Sequence, residues 1–332
     1  MITKTFTLFE IPASLPESLP DPGQICFLDI ETSGYARKNA RLCYAGCIIP
    51  EEKTWSVHQW IPEIREEEAD LYRTLADFLK PWPLLAHFGG TSFDLPFLKK
   101  KWTSLGIASD LSQKESLDFY RILKPFQKLW NLEHMDQKTL ENFLGLSRSP
   151  EDNDLTMLPR LIPLLAFRDL AEGKFRAVSA RPLFTENTFQ IQIELKLTSP
   201  LPAAVSHLYP HFYMKAEKDT AQLLVYGLCQ TLKYFFKDYK NYYYLPMEDQ
   251  AIHKSVAAYV EKENREPAKA STCYTKKSGC FLPQPAPLFS PSFRSDYHDT
   301  DSWFLYTEEF ARDTDALRNY TAALLAEAFP SG

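Results

Sequence analysis

Two carboxylates one residue apart, Asp29 and Glu31, end the apolar run Ile25-Cys26-Phe27-Leu28 and precede Thr32-Ser33-Gly34. Along a β-strand alternate side chains face the same way, so both acids point to one side. Neighbouring carboxylates repel each other unless a cation lies between them, and hard oxygen ligands suit Mg²⁺ or Mn²⁺. The segment reads as a buried strand whose end supplies half of a metal site. Taken alone, these residues fit equally a strand end that simply meets solvent.

A second carboxylate signal lies downstream. His87-Phe88-Gly89-Gly90-Thr91-Ser92-Phe93-Asp94-Leu95-Pro96-Phe97-Leu98 reads as a strand, a tight glycine turn and a helix whose first turn carries Asp94. An acid there is favoured by the helix dipole whatever its function. The same geometry can aim Asp94 at a neighbouring strand end.

The elements that must position these acids alternate between strand and helix. Ile25–Ile30, Leu42–Ile49 and Thr54–Ile61 read as strands. Helical spacing of Leu71, Leu75, Phe78 and Leu79 follows over Glu63–Leu79 and stops at Pro81 and Pro83. Leu84–His87 is a short buried strand, and Thr91 or Ser92 is the expected cap of the helix over Asp94–Leu105. Ser116-Leu117-Asp118 reads as another strand end, Thr139–Leu144 as a helix closed by Gly145, and Asp154–Phe167 as one helix bent by Pro159 and Pro163. This order predicts an α/β fold, a sheet with helices packed on it. Composition changes near Gly173, with strands expected at Thr188–Leu197 and Leu223–Gly227 and an aromatic cluster at Tyr234–Tyr244. The expected division is residues 1–176 and a second α+β domain over residues 177–332.

The chain has 332 residues, a hydrophobic fraction of 45% and an aromatic fraction of 14%, which describe a folded protein rather than a disordered one. Formal net charge is −6, so any grip on nucleic acid must come from a local basic groove. Cys26, Cys43, Cys47, Cys229, Cys273 and Cys280 form no zinc-type pairs and read as reduced, mostly buried thiols. Neither a secretory signal nor a membrane-spanning run is evident, and a cytoplasmic location is the expectation.

Taken together, Phe-Leu-Asp-Ile-Glu-Thr-Ser-Gly at 27–34 and Phe-Gly-Gly-Thr-Ser-Phe-Asp-Leu-Pro-Phe-Leu at 88–98 resemble the DEDD 3′–5′ exonucleases of the ribonuclease H-like superfamily, most closely their YprB-like group. Asp118-Phe119-Tyr120-Arg121-Ile122-Leu123 is similar to that group's Asp-Leu-x-Arg strand, and Lys138–Gly145 resembles the helix before its last motif. The likeness covers roughly the first half of the chain. It implies a ribonuclease H-like mixed sheet flanked by helices. It also implies a fourth acid at Asp154, with Asp152 and Asp169 as weaker candidates. Two departures stand out: Pro150 and Glu151 occupy the positions of a His-Asn pair, and Gly89 stands where an Asn is usual.

The resemblance further implies that Asp29, Glu31, Asp94 and Asp154 act as catalytic residues and cage two Mg²⁺ or Mn²⁺ ions about 3.5–4 Å apart. The expected reaction is hydrolytic removal of nucleotides from a single-stranded 3′ end. The family's activating His or Tyr is missing near Asp154, which predicts a slow or inactive enzyme. Expected substrate contacts are Thr32, Ser33, His87, Ser92 and Phe93 beside the carboxylates, and Lys240 and Lys254 in the second half. There, basic residues interleave with aromatics in a manner suited to a single strand. Two alternatives stand: a nuclease fold that binds nucleic acid without cleaving it, and a protein-interaction module using the aromatic second half.

Overall fold

The computed structural model describes residues 1–12, 14–34, 40–109, 111–185 and 188–330. Contacts divide the chain into two units: residues 1–170 with 198–205 and 329–332, and residues 171–197 with 206–328.

The first unit is built on a six-stranded mixed sheet. Its strands are β1 (Ile2–Glu10), β2 (Ile25–Thr32), β3 (Leu42–Glu51), β4 (Thr54–Ile61), β5 (Leu84–His87) and β6 (Glu115–Asp118), in the order β1-β4-β3-β2-β5-β6. β1 to β4 pair antiparallel, whereas β2, β5 and β6 run parallel. The parallel register sets Phe27 beside Ala86 and His87 beside Asp118. The carboxyl ends of β2 and β5 therefore lie side by side, and chemistry at parallel sheets gathers at such ends.

The unit's helices are α1 (Glu68–Leu79), α2 (Asp94–Leu105), α3 (Phe119–Leu123), α4 (Gln137–Phe143), α5 (Asp154–Met157) and α6 (Leu165–Ala171). Even-numbered β2 residues Cys26, Leu28 and Ile30 join a buried cluster with Leu71 and Leu75 of α1 and Phe97, Leu98 and Trp102 of α2. Odd-numbered Phe27 faces the other way, 5.2 Å from Trp55 and 6.4 Å from Phe119 between ring centres. Asp29 and Glu31 continue that odd row toward the strand's end.

The second unit holds a seven-stranded sheet of β7 (Phe175–Phe184), β8 (Phe189–Leu197), β9 (Val205–Leu208), β10 (Phe212–Glu217), β11 (Thr220–Phe235), β15 (Tyr274–Pro283) and β16 (Trp303–Leu305). A small sheet of β12 (Tyr242–Leu245), β13 (Gln250–His253) and β14 (Glu266–Pro267) accompanies it. Helices α7 (Glu308–Arg312) and α8 (Thr314–Ala328) pack on β7. β11 serves two pairings: residues 220–227 pair with β8 and residues 228–235 with β15. Gly227 marks the switch, because a Cβ there would lie 2.4 Å from the Phe189 ring and 2.6 Å from the Phe281 carbonyl.

The structure corrects four local expectations. Asp154–Phe167 is not one helix: α5 spans four residues and gives way to a 3₁₀ segment, Leu158–Leu164, carrying Pro159 and Pro163. Each proline removes a backbone donor and disfavours the α conformation just before it. Neither Thr91 nor Ser92 caps α2; Phe93 holds the cap position without a side-chain bond. The strand expected at Leu223–Gly227 runs over all 16 residues of β11. Cys229 and Cys280, directly opposed across β11 and β15, form a disulfide rather than two thiols.

Candidate active site

The glycine turn after β5 is held from below. Asp118, 4% exposed, accepts hydrogen bonds from the Gly89 N–H (2.8 Å), the Thr91 N–H (3.4 Å) and the Thr91 hydroxyl (2.6 Å). The same carboxylate caps α3 through the Tyr120 and Arg121 N–H groups. Gly89 adopts φ +72°, a region that glycine enters at little cost. A Cβ at Gly90 would fall 2.9 Å from the His87 ring and 3.0 Å from Asp94 Oδ2. The turn therefore needs both glycines, and it delivers Asp94 as the first residue of α2.

His87 was expected to touch substrate, but it is buried with both ring nitrogens engaged. The Gly90 N–H donates to Nδ1 at 3.1 Å, which leaves the proton on Nε2, 2.8 Å from Ser116 Oγ. Burial holds its pKa below the usual histidine value. Its work is to fix the turn.

Asp29 lies at the meeting point of the acids. Burial, followed by the charges of Asp94, Asp154 and Glu31, pushes its carboxyl up to about 8. Asp94 is pushed up to about 6 by burial and then by Asp118. Carboxylates raised by desolvation and by one another are in the condition that a cation relieves. Glu31 is exposed at the end of β2, opposite Tyr44 of β3.

Tyr44, and the part Gly46 plays beside Asp29, escaped the sequence reading, which noted Gly46 only as a glycine within the Leu42–Ile49 run. Gly46 pairs with Asp29, and a Cβ there would lie 2.4 Å from both the Tyr44 hydroxyl and Leu155. The missing side chain lets the phenol fold over the strand toward Asp29, where Asn153 Nδ2 reaches the hydroxyl at 3.4 Å. Burial and then the Asp29 charge push the phenol above its usual range. A glycine inside an otherwise apolar strand was the available signal.

Asp154 opens α5 behind a capping box made by Asn153 and Thr156. Its Oδ1 lies 2.7 Å from Arg148 Nη2. Arg148 is itself clamped by buried Glu141, with Nε to Oε2 and Nη2 to Oε1 both at 2.7 Å. Arg148 also escaped the sequence reading, since nothing local marks a loop arginine as the partner of two acids. Asp152 and Asp169 have other duties. Asp152 accepts from the Ser149 N–H and the Thr156 hydroxyl. Asp169 is buried and holds the Glu17 and Ser18 N–H groups and the Ser199 hydroxyl.

Asp29 and Asp94 suit a hard divalent cation in donor type and charge. The expected four-carboxylate cage is not drawn together. Among the described residues, no group of three or more His, Cys, Asp or Glu side chains is placed to hold an ion.

The remaining expected contacts are scattered. The Thr32 hydroxyl donates to the Gly34 carbonyl, and Ser33 Oγ accepts from the Arg41 N–H. The Ser92 N–H closes the turn onto the Gly89 carbonyl, and the Phe93 ring stacks on Phe97 at 5.7 Å. Lys240 and Lys254 lie in the second unit. Lys240 is exposed in a short 3₁₀ turn, and Lys254 Nζ sits 5.4 Å from the centre of the Tyr243 ring.

No curated protein matches this sequence. Solved structures of exonuclease I are weakly similar to part of this chain. One, described as suggesting how processivity is achieved, is 12% identical with a TM-score of 0.36. Another, E. coli exonuclease I in complex with a dA13 oligonucleotide, is 12% identical with a TM-score of 0.34. Each match covers 50% of this chain and 54% of the other, so the chain matches only about half the length of these neighbours. No helix among the described residues is long and apolar enough to cross a membrane. The family model of the ribonuclease H superfamily matches residues 26–161, the stretch that runs from β2 past Asp154. The first unit thus contains a ribonuclease H-like domain, with Asp29 near the carboxyl end of its strand β2.

Proposed function

We propose that this protein is a divalent-metal-dependent nuclease that hydrolyses phosphodiester bonds at the 3′ end of a single-stranded nucleic acid. One observation carries the reading: β2 and β5, which lead to Asp29 and Asp94, pair in parallel, and burial with the charges of Asp94, Asp154 and Glu31 pushes the Asp29 carboxyl up. Such crowding is costly unless a cation and a substrate phosphate complete it.

Asp29 and Asp94 are the groups that would hold Mg²⁺ or Mn²⁺, which when bound supplies an acidified water and neutralises charge on the phosphate. Glu31, exposed beside them, is the acid best placed to contact a water or the sugar. The buried Asp118 network fixes the glycine turn that leads into Asp94. Tyr44 offers a hydroxyl donor beside Asp29. In the second unit, Lys254 and Arg265 both lie over Tyr243, at 5.4 and 5.0 Å. This aromatic face with a positive rim suits the stacking and phosphate pairing of a single strand.

The test is a 5′-labelled oligonucleotide incubated with Mn²⁺. The reading expects a ladder that shortens from the 3′ end, loss of trimming in Asp29→Ala and Asp94→Ala, and protection by a 3′-terminal block. Equal trimming by Asp29→Ala overturns it.

The second reading, binding without cleavage, is favoured by Arg148 at Asp154 and by a four-residue α5 with no His or Tyr just before it. It expects retention on single-stranded DNA in EDTA and no product with any metal.

A further inference from the structure

The loop between α4 and α5 places a cation beside the fourth carboxylate. We infer that Arg148 stands where a second metal ion would otherwise bind, so that this site takes one divalent ion, held by Asp29 and Asp94, while Asp154 serves the guanidinium. The inference rests on the metal-dependent reading above and makes it more specific.

Three observations carry it. First, Arg148 is anchored rather than passing by. It forms a two-pronged bond to Glu141, with both N···O distances 2.7 Å, and Glu141 is 2% exposed. A buried carboxylate stripped of its guanidinium partner is strongly unfavourable, so the guanidinium stays. Gln137 Nε2 bonds Glu141 Oε1 at 3.1 Å and the Asp154 carbonyl at 2.6 Å, tying the clamp to the first turn of α5.

Second, the contact to Asp154 takes up a ligand position. Arg148 Nη2 is 2.7 Å from Oδ1, at full hydrogen-bonding distance. Asp154 is largely exposed, and an exposed pair of this kind is weak by itself. Glu141 supplies the permanence that the exposed pair lacks. Glu141 also balances the guanidinium's charge overall, but the edge that faces Asp154 remains positive. A dication bound there would have to displace that edge and then sit beside it.

Third, the acids that remain suffice for one ion. Asp29 and Asp94 are the two half-buried members, whereas Glu31 and Asp154 are exposed, and Mg²⁺ commonly uses one or two carboxylates, with waters and substrate oxygens filling the rest. No set of three acids is drawn together among the described residues, as a shared two-ion cage would need.

The experiment counts ions directly and does not depend on turnover. The full-length protein, stripped with EDTA and dialysed, is titrated with Mn²⁺, and free Mn²⁺ is read from its electron paramagnetic resonance signal. The parent is expected to bind one ion per chain. Asp154→Asn is expected to keep one ion with its affinity within about threefold, whereas Asp29→Asn and Asp94→Asn lose it. Arg148→Met combined with Glu141→Gln removes the guanidinium without stranding a buried charge, so its count should rise to two, with circular dichroism confirming the fold. Two ions on the parent, a tenfold weakening by Asp154→Asn, or one ion on the folded double variant would overturn the inference while leaving the metal-dependent reading intact. No Mn²⁺ on any protein would overturn both.

Discussion

Replacing Asp29 by Asn should stabilise the metal-free protein at alkaline pH. In the fold the Asp29 carboxyl is raised from 3.8 to about 8. A raised acid contributes its full stability below the unfolded value and loses it as pH climbs through the folded value. Between about pH 4 and pH 8 the unfolded chain ionises freely while the folded chain resists. Four units at 1.36 kcal/mol each set a ceiling of ~5 kcal/mol. Partial access of water to the strand end reduces this, and ~2–3 kcal/mol is the working expectation. Asparagine has the same shape and never ionises. Thermal unfolding in EDTA should therefore show Asp29→Asn melting at least ~4 °C above the parent at pH 8.5, with the gap closing near pH 4. Saturating Mn²⁺ should raise the parent at pH 8.5 and leave the variant unmoved, since only a bound cation relieves the ionised acid. A gap that stays constant across pH, or a variant that melts below the parent at pH 8.5, would refute the claim that acids crowd Asp29.

Three further outcomes follow from other contacts. Asp118→Ala releases the glycine turn and the cap of α3; it should cost ~2–4 kcal/mol in urea unfolding and abolish trimming, because Asp94 loses its support. Gly46→Ala forces a methyl to within 2.4 Å of the Tyr44 hydroxyl and Leu155, and should destabilise by ~1–3 kcal/mol, read as a lower urea midpoint. Tyr243→Ala removes the ring beneath Lys254 and Arg265 and should weaken single-stranded DNA binding by roughly 10-fold in fluorescence anisotropy, with circular dichroism unchanged.

The parts of the fold legible in the sequence are those whose signals are local. β5 and α2 fall at their expected bounds because a four-residue apolar strand followed by two glycines leaves little choice. The side-by-side ends of β2 and β5 follow from motif resemblance more than from pattern. β1 was missed because its residues are nearly all exposed, so the edge strand shows no alternating apolar face. The true extent of β11 was hidden because its two halves meet different partners and only Leu223–Gly227 carries a plain apolar signal. At the site, the pairing of Asp29 with Asp94 was expected from the resemblance of the two motifs rather than from spacing. Arg148 was not, because its role is set by Glu141 and Asp154, each several residues away on a different helix. His87 misled for a related reason: its position beside the glycines suggested contact with substrate, whereas Ser116 and the Gly90 N–H hold both of its nitrogens.

The most direct measurement is anomalous diffraction at the manganese edge from crystals of this protein grown with Mn²⁺. The account predicts a peak within coordinating distance of both the Asp29 and Asp94 carboxylates. Crystals saturated with Mn²⁺ that show no peak near Asp29 would contradict it.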